Sequence, residues 1–249
     1  MKILKRVNWQ IWLSIILLLL SVFLYFLHFL IFKDAHHIFL YLLGDIAFIP
    51  IDVLLVTVII HQLLTKREKR IKLKKLNMVI GVFFSNAGTE LLRALSSFNF
   101  SIDSLSENLA IDSQWSEKQF IVAAKRIKKD EYKIDCKKGD LGKLKEFLSV
   151  KSDFLLRLLE NPNLLEHDAF TELLWAVSHL AEELNYREDP SALSVKDCEH
   201  LAGDIKRAYI LLIYEWLLYM KHLKFTYPYL FSLAVRINPF KENSVAEIK

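Results

Sequence analysis

Carboxylates and imidazoles recur along this 249-residue chain at helical spacing, and two settings could turn them to chemistry. The first is apolar. Asp45 and Asp52 interrupt the run IFLYLLGDIAFIPIDVLLVTVIIHQLL, residues 38–64, and their spacing of seven puts them on one helix face. Residues 7–32 hold no charged side chain. On a wheel of about 100° per residue, Gln10, Ser14, Ser21, Tyr25 and His28 fall within roughly 60° of one another. Folding the two runs together at residues 35–36 sets Asp45 level with Tyr25 and His28, and Asp52 level with Ser21. An acid at that depth in a bilayer costs about 2.5–3.5 kcal/mol on insertion scales, so it faces protein or water. Asp45, Asp52, Ser21, Tyr25 and His28 are therefore expected to be either polar glue between helices or the lining of an ion or proton path. Two helices cannot enclose a pore, so a path requires an oligomer. Pro50 removes one backbone hydrogen bond near Asp52 and permits a kink.

The second setting is a predicted helical bundle. Glu172, His179 and Glu183 lie within about 40° of arc on a predicted helix 165–186. Asp197, Asp204, Glu215 and His222 lie within about 20° on the next, 194–224. Facing helices that present such groups can hold metal ions, but bundle di-metal sites use Glu-x-x-His, which this sequence lacks. The nearest stretches are Asp197-Cys-Glu-His200 and the reversed His179-Ala-Glu-Glu182. The stripe on 165–186 also lies opposite the apolar positions Leu173, Val177, Leu180 and Leu184. Glu172, His179, Glu183, Asp204, Glu215 and His222 are the candidate metal ligands, and solvated or helix-bridging faces are what their pattern favours. No cofactor and no catalytic residue is expected.

The elements that must position these groups follow from patterning. Hydrophobic residues make up 53% of the chain, more than a soluble domain can readily cover, and the excess sits at the amino end. A helix over residues 7–32 rises roughly 39 Å, enough to cross a hydrocarbon core of about 30 Å. It ends in His-Phe-Leu-Ile-Phe, unlike a signal-peptide cleavage site. The expected spans are about 8–32 and 38–64, joined by the short segment Lys33–His37, with His36 and His37 solvated. Lys2, Lys5 and Arg6 precede the first span, and Trp9 and Trp12 sit at belt positions. Lys66, Arg67, Lys69, Arg70, Lys72, Lys74 and Lys75 follow the second against Glu68 alone. The positive-inside rule then places both termini in the cytoplasm of an inner or plasma membrane protein. That basic collar is expected to bind anionic headgroups of the lipid bilayer. The chain after it is mildly acidic, and the collar lacks interleaved aromatics, so no nucleic-acid partner is expected.

Leu76, Ile80, Phe83, Ala87, Leu91, Ala94 and Phe98 mark an amphipathic helix that extends the second span or bends near Gly81 or Gly88. Ser104-Leu-Ser-Glu107 and Ser116-Glu-Lys-Gln119 have capping-box spacing. Residues 128–142 read as a linker or exposed loop. Three longer helices follow, at about 142–160, 165–186 and 194–224, with at most a trace of strand. AYILLIYEWLLYM, residues 208–220, is too short to span, and reads as the core of a bundle or as a surface for other subunits or the membrane. The tail TYPYLFSLAVRINPF is expected to return to the bundle. Cys136 and Cys198 are expected as free thiols in a reducing compartment.

The fold class is thus all-α: a two-helix transmembrane hairpin (1–65), a basic juxtamembrane amphipathic helix (66–100) and a cytoplasmic helical domain (101–249). No nucleotide-binding, serine-hydrolase or zinc-protease motif is present. The expected role is non-enzymatic: self-assembly as a homo-oligomer, sensing or partner binding. An oligomeric channel lined by the spans and a carboxylate–histidine metalloenzyme are the alternatives.

Overall fold

The computed structural model describes residues 2–162, 164, 167–190, 192–241 and 247, the side chains of residues 2–8, 10, 103 and 104 excepted. Lys2, Lys5, Arg6 and Gln10, invoked above, thus lie outside the described side chains. The fold is all-helical. Among the described residues the only β pairing is an isolated antiparallel bridge between Asn99 and Ile134. Contacts divide the chain into two compact units, residues 1–68 and 69–249.

The first unit contains α1 (Lys2–Phe32) and the amino-terminal part of α2 (Ala35–Phe83). Only Lys33 and Asp34 separate the two helices, a tighter turn than the five residues expected. Lys33 makes the stop: it adopts a left-handed φ of 53°, and its N–H bonds the Phe29 carbonyl at 2.8 Å. That is the geometry of a helix C-terminal cap, usually given to glycine. Asp34 accepts from the His37 N–H at 3.2 Å and so opens α2. The helix continues through Pro50. Two stretches, Ile11–Phe32 and one within Ala35–Ser96, are long and apolar enough to cross a membrane, and neither is covered by the rest of the chain.

The second unit is a helical bundle. The amphipathic stripe that begins at Leu76 belongs to its core: Leu76, Ile80, Phe83, Ala87, Leu91 and Phe98 are all buried. The helix passes Gly81 unbroken and changes at Phe84–Gly88, a single π turn, before α3 (Thr89–Ser96). Gly88 is required in that turn, because a Cβ there would sit 2.6 Å from the Phe83 ring. Phe83 meets Phe170 edge-on at 5.3 Å, and Phe84 stacks on Tyr219 at 5.0 Å.

Next come α4 (Ile102–Asn108) and α5 (Glu117–Ile127). Ser116 forms the expected capping box with Gln119. Ser104 does not start a helix, because α4 begins two residues earlier, where Ser101 precedes Ile102 without a side-chain cap. The longer helices α6 (Leu141–Leu159), α7 (Asp168–Asn185) and α8 (Val195–Thr226) fall close to their predicted bounds. Asp140 caps α6 by accepting from the Lys143 N–H at 2.9 Å, and Ser194 caps α8 through the Asp197 N–H at 3.2 Å.

Residues 208–220 form the centre of the bundle, with Ala208, Tyr209, Leu212, Ile213, Trp216, Leu217 and Met220 buried. Helix α8 packs on α3, α5, α7 and α9 (Pro228–Arg236), and α6 packs on α7. The tail returns as expected: Trp216 meets Phe240 edge-on at 5.2 Å, and Arg93 donates to the Ile237 carbonyl.

The segment 128–142 is not a free linker. Tyr132 and Cys136 are buried, and Phe100 donates to the Lys133 carbonyl across the Asn99–Ile134 bridge. Cys136 is bonded to Cys198, whose Cα lies 5.6 Å away, inside the range a disulfide accepts. The expectation of free thiols is therefore corrected. It was drawn from compartment alone, whereas the fold sets this loop against the first turn of α8.

Candidate functional site

Helices α7 and α8 bring four polar side chains together. On α7, His179 and Glu183 are four residues apart. On α8, His200 and Asp204 repeat that spacing, so each helix presents one imidazole and one carboxylate on a common face. The helices run antiparallel here, since His179 meets Asp204 while Glu183 meets His200. The His179 Nε2 lies 3.7 Å from Asp204 Oδ2 and 3.9 Å from Glu183 Oε1. The His200 Nε2 lies 3.3 Å from Asp204 Oδ2 and 3.7 Å from Glu183 Oε1.

Each carboxylate is held from outside by an arginine. Arg187 donates to Glu183 Oε2 at 2.6 Å and keeps the Glu183 carboxyl below its ordinary range, burial opposing. Arg187 also lies 3.6 Å from Asp197. Arg207 donates to Asp204 Oδ1 at 3.3 Å. One oxygen of each acid, Oε1 and Oδ2, is thereby left facing both imidazoles. The Asp204 side chain is 5% exposed, while those of His179 and His200 are 44% and 54% exposed. Asp204 Oδ2 is buried and has no hydrogen-bond partner.

Of the six candidate ligands, His179, Glu183 and Asp204 meet here. Glu172 is exposed on α7 outside the cluster. Glu215 is buried in the bundle core, where burial lifts its carboxyl to about 7 against the opposing charge of Lys128. His222 faces Asn77, with Nδ1 3.3 Å from the amide nitrogen, and burial lowers its pKa. His200 completes the cluster, although only its relation to Asp197 drew notice in the sequence. The available signal was the pair of spacings His-x-x-x-Glu and His-x-x-x-Asp on consecutive helices.

In the first unit, Ser21, Tyr25 and His28 share one face of α1, around a shallow recess with Leu17, Leu20 and Leu24. Among the described residues, no hydrogen bond or ion pair joins Asp45 or Asp52 to them. His28 lies instead near His37 across the turn, ring centroids 6.5 Å apart. Lys66, Arg67, Lys69, Arg70, Lys72, Lys74 and Lys75 are all exposed.

Two family models match the chain. Residues 4–64 match "MJ1433, N-terminal helical domain", and residues 72–236 match "Uncharacterized protein MJ1433, C-terminal helical domain". The protein described as "Uncharacterized protein MJ1433" from Methanocaldococcus jannaschii is 47% identical over 232 residues, 93% of either chain. No solved structure matches. The chain belongs to the MJ1433 family of two-part helical proteins.

Proposed function

We propose that this chain is an integral membrane protein whose first unit is a two-span hairpin and whose second unit is a helical domain for sensing, partner binding or self-assembly. The observation that carries this reading is exposure. Leu17, Leu18, Leu19, Phe23, Phe26, Ile31, Phe39, Leu43, Leu54 and Leu63 all stand bare, on helices that nothing in the chain covers. Water does not tolerate an apolar surface of that extent, whereas lipid does. The collar supports a cytoplasmic domain, since seven exposed cations directly follow the second apolar run. Each is worth about 1 kcal/mol against anionic headgroups.

The Cys136–Cys198 disulfide favours the opposite orientation. Disulfides persist in oxidising compartments, although cells of hyperthermophiles hold many inside. Two measurements decide. Alkaline carbonate is expected to leave the protein in the membrane pellet, and release into the supernatant overturns the hairpin. A reporter fused after Lys249 is expected to be active in the cytoplasm, and activity outside reverses the orientation.

A further inference from the structure

We propose that His179, Glu183, His200 and Asp204 bind one divalent first-row transition-metal ion of the zinc class, bridging α7 and α8. This proposal is independent of the membrane reading, because all four residues lie in the helical domain. The donor set is two imidazole nitrogens and two carboxylate oxygens, which suits zinc, iron or manganese better than a soft ion that wants thiolates.

The spacing fits an ion. Bonds of about 2.1 Å in a tetrahedron place neighbouring donors about 3.4 Å apart. The four imidazole–carboxylate separations run from 3.3 to 3.9 Å. The His179, Glu183 and His200 donor atoms lie within 4.8 Å of one another; Asp204 stands outside that set, with its Oδ2 3.7 Å from the His179 Nε2 and 3.3 Å from the His200 Nε2.

Two further observations point to a cation as the partner of these four groups. The first is the arginine arrangement. Arg187 holds the outer oxygen of Glu183 and Arg207 the outer oxygen of Asp204, which orients each carboxylate to offer its second oxygen inward. Outer-shell donors do this for ligands in metal sites. The second is Asp204 itself. Its side chain is nineteen-twentieths buried, and Oδ2 accepts no hydrogen bond even with the His200 Nε2 at 3.3 Å. A buried carboxylate oxygen left bare is costly. A network of imidazole N–H donors would satisfy it, but the geometry here does not make that bond. A cation among the four groups satisfies it and offsets both acids. The half-exposed imidazoles form the rim through which the ion enters. Three of the donors already lie mutually close, and Asp204 Oδ2 meets both imidazoles, so a four-donor shell closes when an ion draws the two carboxylates together, the pattern of a structural site rather than a catalytic one.

The test uses the full-length protein in detergent, stripped with a chelator and then titrated with Zn²⁺ and with Co²⁺. One ion is expected per chain, with intense visible ligand-field bands from tetrahedral Co²⁺ and a Zn²⁺-dependent rise in Tm. The double substitution His179→Ala with His200→Ala removes two half-exposed rings and should fold, as circular dichroism checks. It is expected to weaken binding by roughly 100-fold or more and to abolish the Tm response. If that variant does not fold, Glu183→Gln serves in its place, with an expected loss of roughly 10-fold or more. Wild-type binding well below one ion per chain overturns the site. So does unchanged affinity in a folded variant, which would put the ion elsewhere, for example at His36-His37. Neither result bears on carbonate extraction.

Discussion

Glu215 shows how one residue inside this bundle sets a pH response. It is 1% exposed, and its Oε1 lacks a hydrogen-bond partner. The facing charge is Lys128, whose ammonium also lies 3.9 Å over the Tyr214 ring. Because burial raises the folded carboxyl from 4.5 to about 7, the native state keeps a proton that the unfolded chain has already released across that window. Stability therefore falls as pH rises from about 4.5 to about 7, by on the order of 3 kcal/mol. Glu215→Gln removes the ionisation and is expected to raise stability by about 1–3 kcal/mol at pH 8, with little change at pH 5. Denaturant midpoints at both pH values measure this, and an equal shift at the two would contradict it. Glu215 also shows what residue type and wheel angle omit. It shares an arc with Asp204, yet lies in another part of the bundle, because a long helix meets different neighbours along its length. His200 was hidden for a different reason. A search tuned to Glu-x-x-His passes over ligands spaced by four, and the second half of the site comes from another helix.

The elements were more legible than the site. Helices α6, α7 and α8 begin and end near the expected residues because local chemistry sets their limits: caps at Asp140 and Ser194, and prolines at 162 and 190. The Ser116 box is local in the same way, with its hydroxyl accepting from the Gln119 N–H while Gln119 Oε1 accepts from the Ser116 N–H at 2.7 Å. Ser116→Ala is expected to cost about 1 kcal/mol. Faster amide exchange in the first turn of α5 than elsewhere in that helix would locate the effect. Segment 128–142 was illegible for the opposite reason. Its lysines and aspartates read as solvated loop, but its order comes from distant partners: the Phe98 carbonyl for the Asp135 N–H and the Asn99 carbonyl for the Lys138 ammonium.

At the scale of the whole molecule, the all-helical class and the concentration of bare apolar surface in residues 11–64 follow from patterning, whereas the covalent closure does not. The disulfide joins residues 62 apart and encloses α6 and α7. Closing a loop of that length removes unfolded-chain entropy worth about 4 kcal/mol. Reduction, or Cys136→Ser with Cys198→Ser, is expected to lower the unfolding free energy by about 2–4 kcal/mol. A reduced protein with the denaturation midpoint of the oxidised one would show that the bond contributes nothing in solution.

The π turn at Phe84–Gly88 has a consequence for counting. Leu95 lies nineteen positions after Leu76, and both are buried in one core. On an uninterrupted α-helix at about 100° per residue, that distance leaves Leu95 about 100° out of phase with Leu76. A π turn takes up one surplus residue, so the phase error vanishes. A chain lacking Asn86, which is exposed, would reach the same alignment with an ordinary helix. The turn thus acts as a vernier, letting the helix carry an odd residue without turning its oily side to water.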